Sequence, residues 1–578
     1  MANEDAKLRE LIMAASGQEK ADLVLKNCRV LNVFTKELEE ADIAVKNGFI
    51  AGVGQYEGDN EIDIEGKIVC PGLIDGHIHI ESSMLSPTEF AKAVIPHGTT
   101  AVITDPHEIA NVAGSDGISF MLESAKDLPL DVFFMLPSCV PSTPLDEAGA
   151  VLDATSLEPF YSNDKVLGLA ELMNSFGTVK GDSDIIAKIN GAKSNGKVID
   201  GHAPSLTGNE LNAYIAAGVA SDHECFSFEE ARQKLLRGQW IMIRQGTAAK
   251  NLEALLPLFD DRYSDRCILV TDDKHPGDLI RQGHIDYIIR EAVKAGKSPF
   301  NAVKMASFNT ANYFGLKDRG AIAPGYRADL IVVSDLNEFK VEKVFKDGIL
   351  TAEAAKLTKD IELPLLDEAK YKRVFHSFNM SDTDASDFKI KDSGSKKRVI
   401  KVVPGQIITE EVIVDSSSAE AEPEKDISKI AVIERHNNTG HIGVGFVTGY
   451  GLKKGAIASS VAHDSHNLIV AGTNDEDMAL AANTVASNEG GLAVVCDGVV
   501  IGQLKLPLAG LMCGRDASEV DEELEMLKEQ CRILGVPEGI DPFMTLAFTA
   551  LPVIPELRII TKGVVDVNTQ SYAPSLFD

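Results

Sequence analysis

The stretch IVCPGLIDGHIH (residues 68–79) is an apolar, β-branched run that ends in two histidines spaced two apart. In an extended chain alternate side chains share a side, so His77 and His79 project together from a strand end. Seven further runs of six to eight residues follow the same rhythm: TTAVITD (99–105), DVFFMLP (131–137), KVLGLAEL (165–172), KVIDGH (197–202), GVASDHE (218–224), WIMIRQG (240–246) and CILVTDD (267–273). The stretches between them carry helix start and stop signals. Ser227 with Glu230 three residues on reads as a capping box, Gly238 follows the helix it opens, and Ser298–Pro299 opens another. Eight strand–helix repeats in about 250 residues fit a (β/α)8 TIM-like barrel over 67–315 more simply than an open sheet.

The flanks read differently. Residues 1–66 contain short β-branched runs separated by Asn-Gly and Gly turns, which predicts an antiparallel sheet over 21–66. GAIAPGYRADLIVVSDL (320–336) returns to short strands, so 316–380 is expected to complete one small β-sandwich domain with the N-terminal flank. Residues 381–426 are polar and read as a linker holding one weak strand, RVIKVV. Beyond them, 427–578 is expected to form an α+β domain with an amphipathic helix from Ala517 to Leu534. The glycine-rich GVGFVTGYG (443–451) lacks the GxGxxG order and a Walker lysine, and reads as a turn between strands.

Composition removes several function classes. The 578 residues carry 56 Lys+Arg against 87 Asp+Glu, a formal charge of −31, which argues against a phosphate-backbone partner. No run of 18 apolar residues suggests a membrane span, and the first twenty residues lack the apolar core of a secretion signal. The eight cysteines are scattered and never form CxxC, so they read as reduced and buried rather than as a disulfide framework or zinc knuckle. A cytoplasmic, multidomain protein is expected.

The chemistry sits at the strand ends. Glu171 ends the fourth run, His202 the fifth, His223 the sixth and Asp272 the eighth. With His77 and His79, six metal-competent side chains therefore fall on the rim where barrel active sites are built. A lone buried His or Glu is more often structural, but six at equivalent positions point to a metal site. Imidazole and carboxylate without thiolate suit Zn, Mn or Fe. Glu171 sets the nuclearity, because a carboxylate offers one oxygen to each of two cations. His77, His79 and Asp272 would surround one cation, and His202 and His223 the other. Two such cations lower the pKa of a shared water from 15.7 toward roughly 7. Asp272 would accept its proton and pass it on, or serve as a plain ligand.

Asp105, Pro106, His107 and Glu108 follow the second run. They read as groups that protonate a substrate nitrogen or fix its orientation, or as a helix start with Asp105 as cap and Glu108 completing the box. Glu81 and Ser82 are candidates for hydrogen bonds to a polar ring, as is Arg244, for which a salt bridge on the rim is the plainer reading. Far along the chain, VAHDSHN groups His463, Asp464 and His466. They read as a metal pair, or as a polar loop folded over the barrel mouth or onto a neighbouring subunit. The PCxxC and HxE elements of cytidine-type zinc deaminases are absent.

PGLIDGHIH, with Glu171, His202, His223 and Asp272 downstream, resembles the amidohydrolase superfamily, and GAIAPGYRADLIVV is similar to its closing β-domain signature. More narrowly, GHIHIESSMLSPTEFAKAVIPHGTTAVITDPHEIANV, LMNSFG, GHAP, SDHE, VTDDKHP and VAHDSHNLIVAGTNDEDMALAAN are similar to the bacterial adenine deaminases. The likeness spans nearly the whole chain. Strand four offers Glu171 where dihydroorotase-like relatives carry a lysine that becomes carboxylated. The resemblance implies hydrolysis of adenine to hypoxanthine and ammonia at a binuclear centre of Mn or Fe, with Zn as third candidate, in a homodimer or larger homo-oligomer. It implies attack of a metal-held hydroxide on C6, protonation of N1 by Asp105 or Glu81, and delivery of a proton to the leaving amino group by Asp272. The rival readings are another aminohydrolase or cyclic-amide hydrolase on the same scaffold, and a non-catalytic binding protein.

Overall fold

The protein is described by a computed structural model covering residues 2–247, 249–404 and 406–578. The barrel strands are β1 (Leu73–Ile78), β2 (Thr99–Thr104), β3 (Asp131–Leu136), β4 (Val166–Leu172), β5 (Val198–Gly201), β6 (Ser221–Asp222), β7 (Trp240–Arg244) and β8 (Cys267–Val270). β1 to β5 pair in parallel, as do β6 to β8. The two sheets are stitched at both seams. Ala220 N donates to Ile199 O (2.9 Å) between β5 and β6, and Asp272 N donates to His77 O (2.9 Å) between β8 and β1. Ile74, Ile103, Met135, Met242, Ile268 and Val270 pack inside; each fully buried side chain of this size contributes about 1.5–3 kcal/mol.

One expected strand is two. Ile68–Pro71 pairs with Leu330–Val333 of the flanking domain, and β1 begins only at Leu73. The switch is Gly72, where a Cβ would sit 2.3 Å from Thr100 Oγ1. β6 is also much shorter than its apolar run, because the Asp222 carboxylate accepts from Ala203 N and Glu224 N and so satisfies backbone that a longer ladder would pair.

The flanks share one nine-stranded sheet, with strands from 21–71 and from 330–357 meeting at the Ile68–Pro71/Leu330–Val333 pair. It is not purely antiparallel as expected: Gly58–Asp63 and Ile68–Pro71 run parallel to Ala21–Asn32. Ile50 N donates to Tyr326 O (2.7 Å), which curls the sheet around Val45, Ile50, Val69, Leu330, Val332 and Phe345.

A second nine-stranded sheet builds the last part of the chain, covered by the helix Asp475–Ser487. The amphipathic helix is present as Ala517–Ile533, capped by Asp516. Two expectations change here. The stretch read as a linker supplies the antiparallel pair Lys396–Val402 and Thr409–Asp415, which joins this sheet. Its alternating Lys and Arg look like linker composition because this pair lies at the sheet edge, half in water. GVGFVTGYG is largely the strand Ile442–Thr448, not a turn. Gly443 is needed there, since a Cβ would lie 2.0 Å from Ile560 O. This domain is fastened to the barrel by backbone: Cys513 N donates to Met84 O (3.0 Å) and Ser86 N to Cys513 O (2.8 Å).

Candidate metal centre

All six predicted ligands converge at the carboxyl ends of the barrel strands. His77 is the penultimate residue of β1, and its ring stacks on that of His223 from the β6 end, centroids 4.4 Å apart. His79 lies just past the strand; its Nδ1 is 3.0 Å from Asp105 O, which fixes that nitrogen as the donor and turns Nε2 toward the carboxylates. Glu171, at the end of β4, divides its two oxygens. Oε1 faces His79 Nε2 (3.3 Å), His107 Nδ1 (3.5 Å) and His77 Nε2 (4.0 Å). Oε2 faces His202 Nδ1 (2.7 Å) and His223 Nε2 (3.2 Å). Asp272 Oδ1 stands 3.2 Å from His79 Nε2 and 3.7 Å from His77 Nε2.

These donors fit divalent cations. Ligand atoms held at about 2.0–2.2 Å around one tetrahedral ion lie roughly 3.4 Å apart, close to the spacing found. His77 Nε2 is buried without a hydrogen-bond partner amid carboxylate oxygens, as a ligand nitrogen would be. The electrostatics agree. Burial alone would raise Glu171, but the His223 charge and hydrogen bonds from His202, His223 and His79 hold it well below the ordinary carboxylate range. Burial likewise opposes ionisation of Asp272, and the Arg244 guanidinium with His77 and His79 overrides it.

The other predicted residues surround this cluster. Asp105 and Glu108 do not cap the following helix: the cap position is Pro106, with no side-chain bond. Asp105 Oδ2 instead accepts from His107 Nδ1 (3.0 Å), and despite burial the Asp105 charge pushes His107 up to about 10. Glu81 Oε1 accepts from Ile109 N (3.2 Å) while Oε2 is buried without a partner. Burial and the neighbouring Glu108 push Glu81 up to about 8. Ser82 Oγ lies 2.5 Å from Asp273 Oδ1 and 3.1 Å from Glu108 Oε1. Arg244 makes the salt bridge foreseen for it, but inward, to Asp272 Oδ2 (2.5 Å) and Glu224. The Ser227–Glu230 box is half formed: Ser227 Oγ accepts from Glu230 N, whereas the Glu230 carboxylate accepts from Phe226 N.

VAHDSHN folds over the barrel mouth of its own chain. His463 Nδ1 is 3.3 Å from Glu108 Oε1, and Asp464 Oδ1 is 4.0 Å from His107 Nε2. Glu108, His463 and His466 cluster closely enough for a cation. However, His466 Nδ1 accepts from Ala462 N (3.1 Å), so the neutral ring carries its proton on the Nε2 that faces Glu108. Sequence reasoning missed Glu224 and Asp273. Both directly follow a predicted ligand, in SDHE and TDDK, and doubled polar residues at a strand end were the available signal.

All eight cysteines are buried and free, and no helix among the described residues is long and apolar enough to cross a membrane. The model of the amidohydrolase family matches residues 68–350, and that of the adenine deaminase C-terminal domain matches 406–571. "Adenine deaminase 2" of Carboxydothermus hydrogenoformans is 51% identical over 571 residues, 98% of this chain and 99% of that protein. The adenine deaminases of Desulfatibacillum aliphaticivorans and Geobacillus kaustophilus are 48% and 44% identical, each over 98% of this chain and 99% of their own length. Among solved structures, L-hydantoinase from Arthrobacter aurescens aligns over 59% of this chain and 98% of its own, with TM-score 0.45 and 17% identity.

Proposed function

The chain belongs to the adenine deaminase family of amidohydrolases, and from that premise we infer that it hydrolyses adenine to hypoxanthine and ammonia. The substrate follows from the relatives. The chemistry rests on one observation, the division of the Glu171 oxygens between two groups of imidazoles.

In this reading Glu171, His77, His79 and Asp272 would hold one divalent cation, and Glu171, His202 and His223 a second. The donors suit Mn, Fe or Zn, and the resemblance to the bacterial adenine deaminases implies Mn or Fe, with Zn as third candidate. The cations supply the Lewis acidity that brings the pKa of water from 15.7 toward roughly 7. Asp272 would take one proton of the attacking water and return it to the departing amino group. As the C6–N bond breaks and ammonia leaves, the C6 hydroxyl would give up the second proton to the carboxylate that protonated N1, leaving the C6 carbonyl and both acids as they began. Arg244 holds Asp272 through Oδ2 and so turns Oδ1 toward His77 and His79. Asp105 and Glu81 each keep one buried oxygen without a hydrogen-bond partner, Oδ1 and Oε2, and either is placed to serve as the acid for N1. Ser82 and His107 line the substrate side. Positioned proton transfer of this kind is worth about 10² to 10⁴ in rate. A homodimer or larger homo-oligomer in the cytoplasm completes the proposal; eight free cysteines suit a reducing compartment, and sedimentation measures the assembly.

Metal-loaded protein offered adenine, other purines, pyrimidines and hydantoins tests the reading. Ammonia and hypoxanthine from adenine are expected. Turnover of another ring with none of adenine overturns it, and bound metal below one equivalent after reconstitution favours a binding protein.

A further inference from the structure

The loop Val461–Asn467 comes from the C-terminal domain and is held from every side. Arg435 Nε donates to His466 O (2.5 Å), and Asn467 Nδ2 donates to Glu147 O (2.6 Å). The His436 ring nitrogen Nε2 is 2.8 Å from Ser465 O, and His463 stacks on Phe548 with centroids 4.7 Å apart. The loop delivers Asp464, which is only 3% exposed, with Oδ2 lacking any hydrogen-bond partner. Its Oδ1 stands 4.0 Å from His107 Nε2, while the other nitrogen of that ring is 3.5 Å from Glu171 Oε1. A buried carboxylate oxygen without a donor is costly. This one is kept across the His107 ring from the carboxylate assigned as the bridge.

We propose that Asp464 is a specificity residue: its carboxylate accepts the imidazole-ring N–H of the free purine base, which selects the base over N9-substituted purines. This deepens the deaminase reading and rests on it. Adenine offers N–H donors at two places. The amino group is on the attacked carbon and must lie against Glu171 and Asp272. Only the ring N–H, at the far side of the bicycle, can reach a carboxylate separated from Glu171 by the His107 ring. Methylation or ribosylation of N9 removes that donor and puts bulk against a buried oxygen. A site built to pair a substrate N–H rejects the analogue that lacks it far more strongly than an apolar pocket would.

The test compares adenine and 9-methyladenine in the metal-loaded unaltered protein, Asp464→Asn and Asp464→Ala, with the metal content of each variant measured. The unaltered protein is expected to favour adenine by more than about 100-fold in kcat/KM. Asp464→Asn should raise KM for adenine about 10- to 100-fold, with kcat and bound metal close to those of the unaltered protein. In Asp464→Ala the preference for adenine over 9-methyladenine should shrink to within about 10-fold, because acceptor and bulk are both gone. For a variant that does not fold, the unaltered protein alone still decides: equal turnover of 9-methyladenine overturns the inference. So does a discrimination ratio unchanged in Asp464→Ala, or a loss confined to kcat or metal content. Failure of the unaltered protein to release ammonia from adenine overturns the deaminase reading and this inference with it.

Discussion

Glu171 meets His223 through Oε2 at 3.2 Å, on the opposite side of the carboxylate from the oxygen that faces His79. An amide cannot serve both sides, because one of its two heads is a donor. Glu171→Gln should therefore lower bound metal and turnover together, from two equivalents to about one or fewer, with kcat down at least about 10²-fold. Elemental analysis beside an ammonia assay measures both. Two metals and full rate in this variant would remove the bridging role.

Asp272→Asn separates the proton carrier from the ligand set. The loss should fall mainly on kcat, about 10² to 10⁴, with smaller loss of metal, since His77, His79 and Glu171 still surround the first position. Metal loss as large as the rate loss would make Asp272 a ligand alone.

Arg244 is buried between Glu224 and Asp272. Arg244→Met leaves two buried carboxylates facing one another, which costs about 3–5 kcal/mol when a buried pair is broken. A lower melting temperature is expected by calorimetry, with Arg244→Lys intermediate because it keeps the charge but loses the two-pronged contact. A melting temperature unmoved in Arg244→Met would show the cluster to be solvated.

Asp146 supplies the pH test of stability. Burial, then the neighbouring charge of Asp464, pushes its carboxyl up to about 7, whereas the unfolded chain titrates near 4. Between these values the folded state binds more protons, so stability is full below about pH 4 and falls as pH rises to about 7. Three pKa units correspond to roughly 4 kcal/mol. Asp146→Asn should flatten that slope and raise the melting temperature at pH 8; a slope equal to that of the unaltered protein would assign the effect elsewhere.

The barrel and the side chains gathered at its rim were legible because both follow local rules. Apolar runs of fixed length make strands, and the rim sits where each run stops, so His77, His79, Glu171, His202, His223 and Asp272 could be placed without knowing any distance. What stayed hidden depends on contacts far apart in sequence. Asp105 and Glu108 satisfy the local pattern of a helix start, yet His107, Ser82 and His463 claim their carboxylates. Gly443 looks like a turn glycine because the backbone that needs its bareness is at Ile560. Arg398 and Lys401 look like linker polarity because their strand is second from the edge of its sheet, where part of one face meets water. The inward aim of Arg244 could not be read without knowing that Glu224 and Asp272 lie on either side of it.

The two hydrogen bonds joining Cys513 to Met84 and Ser86 seat the last domain only five to seven residues beyond His79. Prising the domains apart must therefore tug on the segment that carries a proposed ligand, so hinge motion and metal retention are thermodynamically linked. Chelators and mild denaturants should reinforce one another, and a cation in place should act as a clasp that keeps the two halves of the chain shut.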